Sequence, residues 1–260
     1  MTAAREAIAL ELEGRTVRVT NPDKVLFPAA GFTKRDLVAW YVAVAPALLP
    51  HLARRPVTLG RYPDGVDAGG WFQTNCPAGK PEWIPIAEVP GARGQTLRYC
   101  VLDSPAALAW AANAGAIELH PLLAVPGDAR ARALVVDLDP RAPAGIGACA
   151  RLALRIRARL AGAGLAAFPK TSGGRGLHLV VPLDGEDGFD RTKAYARALA
   201  RDLTREDPRG VTDRLPLADR AGKVLVDWRQ NEPNRSMIAP YSLRAADVPL
   251  VAAPVTWDEV

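Results

Sequence analysis

Residues 133–140, ALVVDLDP, are apolar apart from Asp137 and Asp139 near their end. Such a run predicts a strand buried on both faces. Side chains alternate across a strand, so carboxylates at i and i+2 share one face. Two anions held that close repel, and burying them is costly unless cations intervene; hard oxygen donors in such a pair suit Mg2+ or Mn2+. Asp227 stands in the same setting, near the end of the apolar residues 223–228, KVLVDW. Three strand-borne aspartates can hold two divalent cations for an in-line phosphoryl displacement. The same Asp-x-Asp-Pro also reads as an ordinary strand end entering a turn, which Asp and Pro both favour.

Residues 170–178, KTSGGRGLH, offer a different chemistry. Successive glycines let backbone N–H groups approach an anion, while Ser172 supplies a hydroxyl, Arg175 a fork of donors and His178 a ring N–H. The lysine lacks the preceding glycine of a Walker A loop. A plain hairpin uses Gly-Gly as well, and a strand histidine is often structural. A third group lies in the first quarter of the chain, where Lys24, Lys34, Arg35, Arg54, Arg55 and Arg61 precede the aromatic pair Trp71-Phe72. Cations beside aromatic rings suit nucleic-acid ends or single strands, although such rings also anchor loops. A serine or cysteine hydrolase is disfavoured: there is no Gly-x-Ser-x-Gly, and His51, His120 and His178 stand at no partner spacing.

The elements that must position these groups follow from periodicity. Residues 8–20 alternate loosely up to the turn signal Asn21-Pro22-Asp23. Thr33 to Asp36 reads as a capping box, opening one amphipathic helix through Leu37, Trp40, Tyr41, Val44 and Leu48 to Pro50. Residues 57–62 predict a strand and 63–83 an exposed loop. A strand over 96–102, a helix from Ser104-Pro105 to Gly115 and a short strand at 117–119 come next. After the Asp137 strand, a helix follows through Ile146, Cys149, Ala153, Ile156 and Leu160, then a strand at 177–183. A helix capped by Asp190, a mobile loop over 205–222 and irregular chain over 230–244 complete the pass. This is an α/β or α+β pattern in which no linker separates independent domains.

Composition bounds the rest. The 260 residues are 49% hydrophobic and 23% charged, enough for a buried core without covalent staples. Three scattered cysteines, with no Cys-x-x-Cys, argue against a disulfide framework and structural zinc. The N-terminus has no signal-peptide pattern and no segment is long and apolar enough to cross a membrane, which reads as a cytoplasmic protein. A net charge of +5 leaves nucleic acid plausible as a partner without requiring it.

Seven blocks in order resemble the polymerase domain of bacterial ligase D, of the archaeo-eukaryotic primase superfamily: NPDKVLFP at 21–28, RPVTLGRYPDG at 55–65, WFQTNCP at 71–77, VVDLDP at 135–140, TSGGRGLH at 171–178, VDWRQN at 226–231 and APYSLRA at 239–245. The resemblance covers the whole chain. It implies an α+β, two-lobed primase-like fold with mostly antiparallel central sheets flanked by helices, forming a single domain over 1–260, stand-alone or part of a longer ligase D. It implies a polymerase that adds nucleotides, preferably ribonucleotides, to a primer 3′-hydroxyl in gaps or at broken ends during non-homologous end joining. Asp137, Asp139 and Asp227 would be the catalytic, metal-binding residues for two Mn2+ or Mg2+ ions. Ser172, Arg175, His178 and Arg244 would hold the nucleoside triphosphate, with Gln230 in a less direct contact. Asn21, Lys24 and Lys34 would bind the 5′-phosphate of the downstream strand, and Trp71 and Phe72 would stack on template bases. Ku and a ligase domain would be partners.

The chain departs from the family in having Trp71 at a common phenylalanine, Arg175 at a frequent lysine and Gly60 at another. Arginine and lysine hold anions differently, so nucleotide affinity is open to change. No Lys-x-Asp-Gly adenylation motif is present, so ligation is not an activity of this chain. Two rival functions use the same residues: a metal-dependent nuclease or phosphoesterase, which needs no nucleoside triphosphate, and a non-catalytic DNA-end-binding module, which is indifferent to Mn2+.

Overall fold

The computed structural model describes residues 7–260 apart from 92 and 129, so the first six residues of the N-terminal stretch lie outside it. The chain opens with a hairpin, β1 (Ala7–Leu12) and β2 (Arg15–Thr20), where the alternation alone suggests one continuous segment. Glu13 and Gly14 turn it, both at positive φ, as a two-residue hairpin loop demands. Short strands β3 (Val25–Phe27) and β4 (Phe32–Thr33) lead into α1 (Lys34–Ala43), which has the expected reciprocal capping box of Thr33 and Asp36. The single helix expected up to Pro50 is two helices. Pro46 sits in the first turn of α2 (Ala45–Leu52), where its missing N–H is harmless, and the break falls at Val44.

Strands β5 (Val57–Arg61), β6 (Trp71–Gln73), β7 (Ile86–Pro90) and β8 (Thr96–Cys100) precede α3 (Pro105–Asn113) and β9 (Ala116–Pro121). They form an antiparallel sheet in the order β6-β5-β8-β7, with β9 also paired to β5. Leu37, Tyr41, Leu48, Leu108 and Ile117 are fully buried in the core beneath. Against the compositional expectation, Cys76 and Cys100 form a disulfide, with Cα atoms 4.9 Å apart. The Cys76 amide donates to Arg98 O, which lays the segment after β6 beside β8 and brings the sulfurs together across 24 residues of sequence. No local spacing announces such a pairing.

A second sheet is built from β10 (Ala133–Pro140), β11 (Phe168–Thr171), β12 (Leu177–Pro182), β13 (Val211–Thr212) and β14 (Val224–Asp227), in the order β11-β12-β10-β14-β13. Among its described strands only β13 and β14 run parallel. Helices α4 (Ile146–Gly162) and α5 (Phe189–Glu206) cover one face, packing Cys149, Ile156, Leu199 and Leu203 against Leu134, Val136 and Leu138. The opposite face carries Val135, buried with Leu123, Ala131 and Phe189, and then Asp137 and Asp139, which are half-buried and exposed, so the expected burial on both faces ends where the carboxylates begin. Gly188 caps α5 in place of Asp190, which lies in the first turn, where a carboxylate complements the helix dipole. Part of the 205–222 loop is regular, since α5 extends to Glu206 and β13 follows.

Two further strands, β15 (Leu243–Arg244) and β16 (Leu250–Val251), pair antiparallel. The chain divides into two compact units: Met1–Leu122 with Ile238–Val251, and Leu123–Met237 with Ala252–Val260. The architecture is α+β with mostly antiparallel sheets. Among the described residues no helix is long and apolar enough to cross a membrane.

Candidate active site and nucleic-acid contacts

In the second unit, pairing registers place Lys170, His178, Asp137 and Asp227 in one transverse row across β11, β12, β10 and β14. Partners directly opposite in a ladder share a face. Asp137 therefore looks at Asp227 on one side and His178 on the other, with Asp139 two residues along. His178 Nε2 lies 3.4 Å from Asp137 Oδ1, and Gln230 Nε2 donates to Asp137 Oδ2 at 3.2 Å. Burial, then the charges of Asp227 and Asp139, push the Asp137 carboxyl up to about 7, against the opposing pull of Gln230 and Lys170. Clustered anions that hold on to protons are a donor set that a hard divalent cation would relieve.

The carboxylates do not all converge. Asp139 Oδ2 accepts from Arg220, whose side chain is largely buried, and Asp227 Oδ1 accepts the Arg229 amide at 3.0 Å. Among the described residues no group of three His, Cys, Asp or Glu side chains is gathered tightly enough to hold a metal ion. The expected trio thus has Asp137 and Asp227 face to face and Asp139 drawn onto a guanidinium.

The glycine loop between β11 and β12 is a tight closure. Ser172 Oγ accepts from the amides of Gly174 and Gly176 at 3.2 and 3.1 Å. Gly176 is obligatory, because a Cβ there would stand 2.3 Å from Leu138 O, and this is what seats the loop on β10 beside the aspartates. Arg175 is exposed at the tip and His178 is buried. Asn231 lies among the polar residues after β14: buried, it exchanges 2.8 Å hydrogen bonds with both backbone groups of Val135, splinting β10 from the side.

The first unit carries the other groups. Asn21 has a positive φ of 50°, which turns the chain so that the Lys24 amide reaches Asn21 O and the Lys34 amide reaches Lys24 O. Lys34 is buried, donates to Thr20 O at 2.9 Å, and is held below the usual lysine range by burial and by Lys24. Lys24 pairs with the exposed Asp64 at 2.5 Å. Two lysines close enough to depress one of them, at the start of α1, form a concentrated positive spot suited to a phosphate.

Trp71 and Phe72 are half or more exposed, at 50% and 59%. Alternation sends them to opposite faces of β6: Trp71 lies against the Arg61 guanidinium, 5.3 Å from the ring centroid, and Phe72 stands edge-on to His120 at 5.1 Å. His120 does have a partner: its Nε2 is 2.7 Å from Glu118 Oε2. Arg244 lies 3.5 Å from the same carboxylate. Glu118, His120, Lys170, Arg220 and Asp64 were not among the sequence candidates. The first two carry the same signal as Asp137 and Asp139, polar residues at i and i+2 in an apolar strand.

The LigD primase-polymerase domain model matches residues 33–260. The chain belongs to that family. Among curated relatives, the multifunctional non-homologous end joining DNA repair protein LigD of Mycobacterium tuberculosis is 41% identical over 253 residues, covering 94% of this chain and 33% of that protein. LigD of Pseudomonas aeruginosa is 32% identical over 279 residues, covering 100% and 31%, and bifunctional LigD of Bacillus subtilis 29% identical over 245 residues, covering 94% and 39%. The chain spans about a third of the length of these LigD relatives. The solved polymerase domain of Mycobacterium tuberculosis ligase D in complex with DNA superimposes with a TM-score of 0.88 at 41% identity, over 94% of this chain and 88% of that one. The resemblance inferred from seven short blocks therefore holds for the family and for the fold.

Proposed function

We propose that this LigD-family chain is a metal-dependent nucleotidyltransferase, a polymerase that extends a primer 3′-hydroxyl with ribonucleotides in preference to deoxyribonucleotides, filling gaps at broken DNA ends during non-homologous end joining. The observation that carries the reading is the register row that sets Asp137 against Asp227, with Asp139 on the same face and the glycine loop seated beside them. Asp137, Asp139 and Asp227 would hold the divalent cations, Mn2+ or Mg2+, once Asp139 exchanges the Arg220 guanidinium for a cation. Bound there, they would supply charge neutralisation for the phosphoryl transfer.

The protein's own work is positioning. Ser172 stiffens the loop that presents Arg175, and His178 and Arg244 add donors for the triphosphate. Gln230 orients Asp137 through its amide. Asn21, Lys24 and Lys34 take the 5′-phosphate of the downstream strand, and Trp71 and Phe72 stack on template bases. Ku and a ligase domain are the partners of this activity.

The test is nucleotide addition on a gapped duplex, with ribo- and deoxyribonucleotides, with Mn2+ or a chelator. Asp137→Ala should lower addition by at least about a hundredfold while still binding a 5′-phosphorylated end. Metal-independent addition, or addition that survives in Asp137→Ala, rules the reading out. End binding without addition under any metal leaves a recruitment module in its place.

A further inference from the structure

Strand β9 buries a carboxylate: the side chain of Glu118 is 3% exposed. An anion that deep is tolerable only when donors meet its oxygens. Here they do. Nε2 of His120 lies 2.7 Å from Oε2, and the Ala245 amide donates to Oε1 at 3.0 Å. Burial would raise the carboxyl's pKa, but His120, the Ala245 amide and Arg244 outweigh it and hold the group below the usual glutamate range. Phe72, Gly60 and Glu118 form one register row across β6, β5 and β9, and a Cβ on Gly60 would stand 2.8 Å from Glu118 Cβ and 3.4 Å from the Phe72 ring. The carboxylate is therefore walled in as well as hydrogen-bonded.

The remaining neighbour is Arg244, whose Nη1 lies 3.5 Å from Oε2 while 39% of its side chain stays exposed. That separation is a charge contact and not a hydrogen bond. The backbone under Arg244 is equally determined. Ser242 Oγ accepts from the Leu119 amide at 2.9 Å, and the Leu243 amide donates at 3.2 Å to the buried Tyr41 hydroxyl, which itself donates to Ile117 O at 2.6 Å, so the segment that leads into Arg244 is tied to β9 directly after Glu118 and through Tyr41 before it.

We infer that Glu118 is a positioning residue for Arg244: it seats one edge of the guanidinium so that the remaining donors face outward, toward the triphosphate of the incoming nucleotide. The inference rests on the polymerase reading above. A guanidinium is a planar fork, so fixing one edge sets the direction of the others. Without that anchor a long, half-exposed side chain samples many rotamers, and nucleotide binding weakens while the chemical step is untouched.

The experiment is steady-state nucleotide addition by the whole chain, with Mn2+ and varied nucleoside triphosphate, for wild type, E118Q, R244A and the double variant. E118Q should raise the nucleotide KM about tenfold with kcat within about twofold, and the double variant should be no worse than R244A alone. A wild-type KM in E118Q, or a double variant whose defect is the product of the two single ones, overturns the proposal. Binding of a 5′-phosphorylated DNA end and the thermal unfolding midpoint are read alongside. Should E118Q fail to fold, Glu118→Asp keeps the charge but withdraws it by one methylene; it should raise KM less than R244A does, and an unchanged KM overturns the proposal equally. A wild-type chain that adds no nucleotide sinks the polymerase reading itself, whereas an active wild type with an indifferent E118Q sinks only the role of Glu118.

Discussion

Asp137 faces Asp227 across a strand pair, and burial with that neighbouring charge keeps its proton on up to about 7, against 3.8 for an ordinary aspartate. The unfolded chain has already lost this proton at lower pH. The group's contribution to stability is thus fully present below about 3.8 and is lost as pH rises through about 7. In chelator-treated protein the thermal unfolding midpoint should fall as pH rises through that window, and Asp137→Asn should flatten the fall; calorimetry at several pH values decides it, and a midpoint indifferent to the substitution counts against the shift. Mn2+ should raise the midpoint most at the upper end of the window, where the carboxylates are ionised. At this scale the sequence was informative where polar residues interrupt apolar strands. Asp137, Asp139 and Asp227 stood out for that reason, and Glu118 with His120 carried the same mark. Arg220 and Asp64 carried no mark, because each meets its partner across a long stretch of chain: Arg220 is 81 residues from Asp139 and Asp64 is 40 from Lys24.

Elements were legible where one periodicity ran uninterrupted, as in α4, α5 and β10. They were misread where a turn or break preserved the pattern. Glu13-Gly14 reverses the chain between two runs of like alternation, and Val44 separates two helices whose apolar spacing continues across it. Strand β7 escaped because its residues are half-exposed and lack contrast. The cysteine pair is the sharpest case, a pairing made by strand neighbourhood. It closes a loop across 24 residues, and the chain-entropy model assigns such a crosslink about 3 kcal/mol. Cys76→Ser should lower the stability of oxidised protein by that order in denaturant unfolding. Added reductant should bring wild type down to the same level while leaving the variant where it is; equal stability of both under oxidising conditions would show that the bridge does not form in solution.

For the whole molecule, a net charge of +5 and a pI near 9.3 are a weak field, so recognition must be local. The lysine pair at the start of α1 is such a local concentration. Replacing Lys24 and Lys34 by alanine should bring the ratio of extension on phosphorylated and unphosphorylated gaps close to one, and should lower the slope of log affinity against log salt by about 0.9 for each phosphate charge the protein no longer neutralises. A ratio unchanged from wild type moves the phosphate elsewhere. The mixed helix-and-strand class was readable from alternating strands and helices, whereas the mostly antiparallel sheets followed only from the resemblance to the ligase D polymerase family. The division into two compact units was not visible as a boundary in composition, because neither unit is one continuous stretch: residues 238–251 return to the unit begun by the first 122. That return has a consequence for how the protein is made. On the ribosome, where chains emerge from their N-terminus, all three aspartates and the lysine pair exist before Arg244 does. Until residues 242–245 arrive, the Leu119 amide lacks Ser242 and the Glu118 carboxylate lacks both the Ala245 amide and Arg244, which leaves His120 as its partner in the nascent first unit. Arg244, the arginine proposed to face the nucleotide, and the last clasp of its own scaffold are delivered by the same few codons, so a chain arrested before them would carry the acids without that arginine.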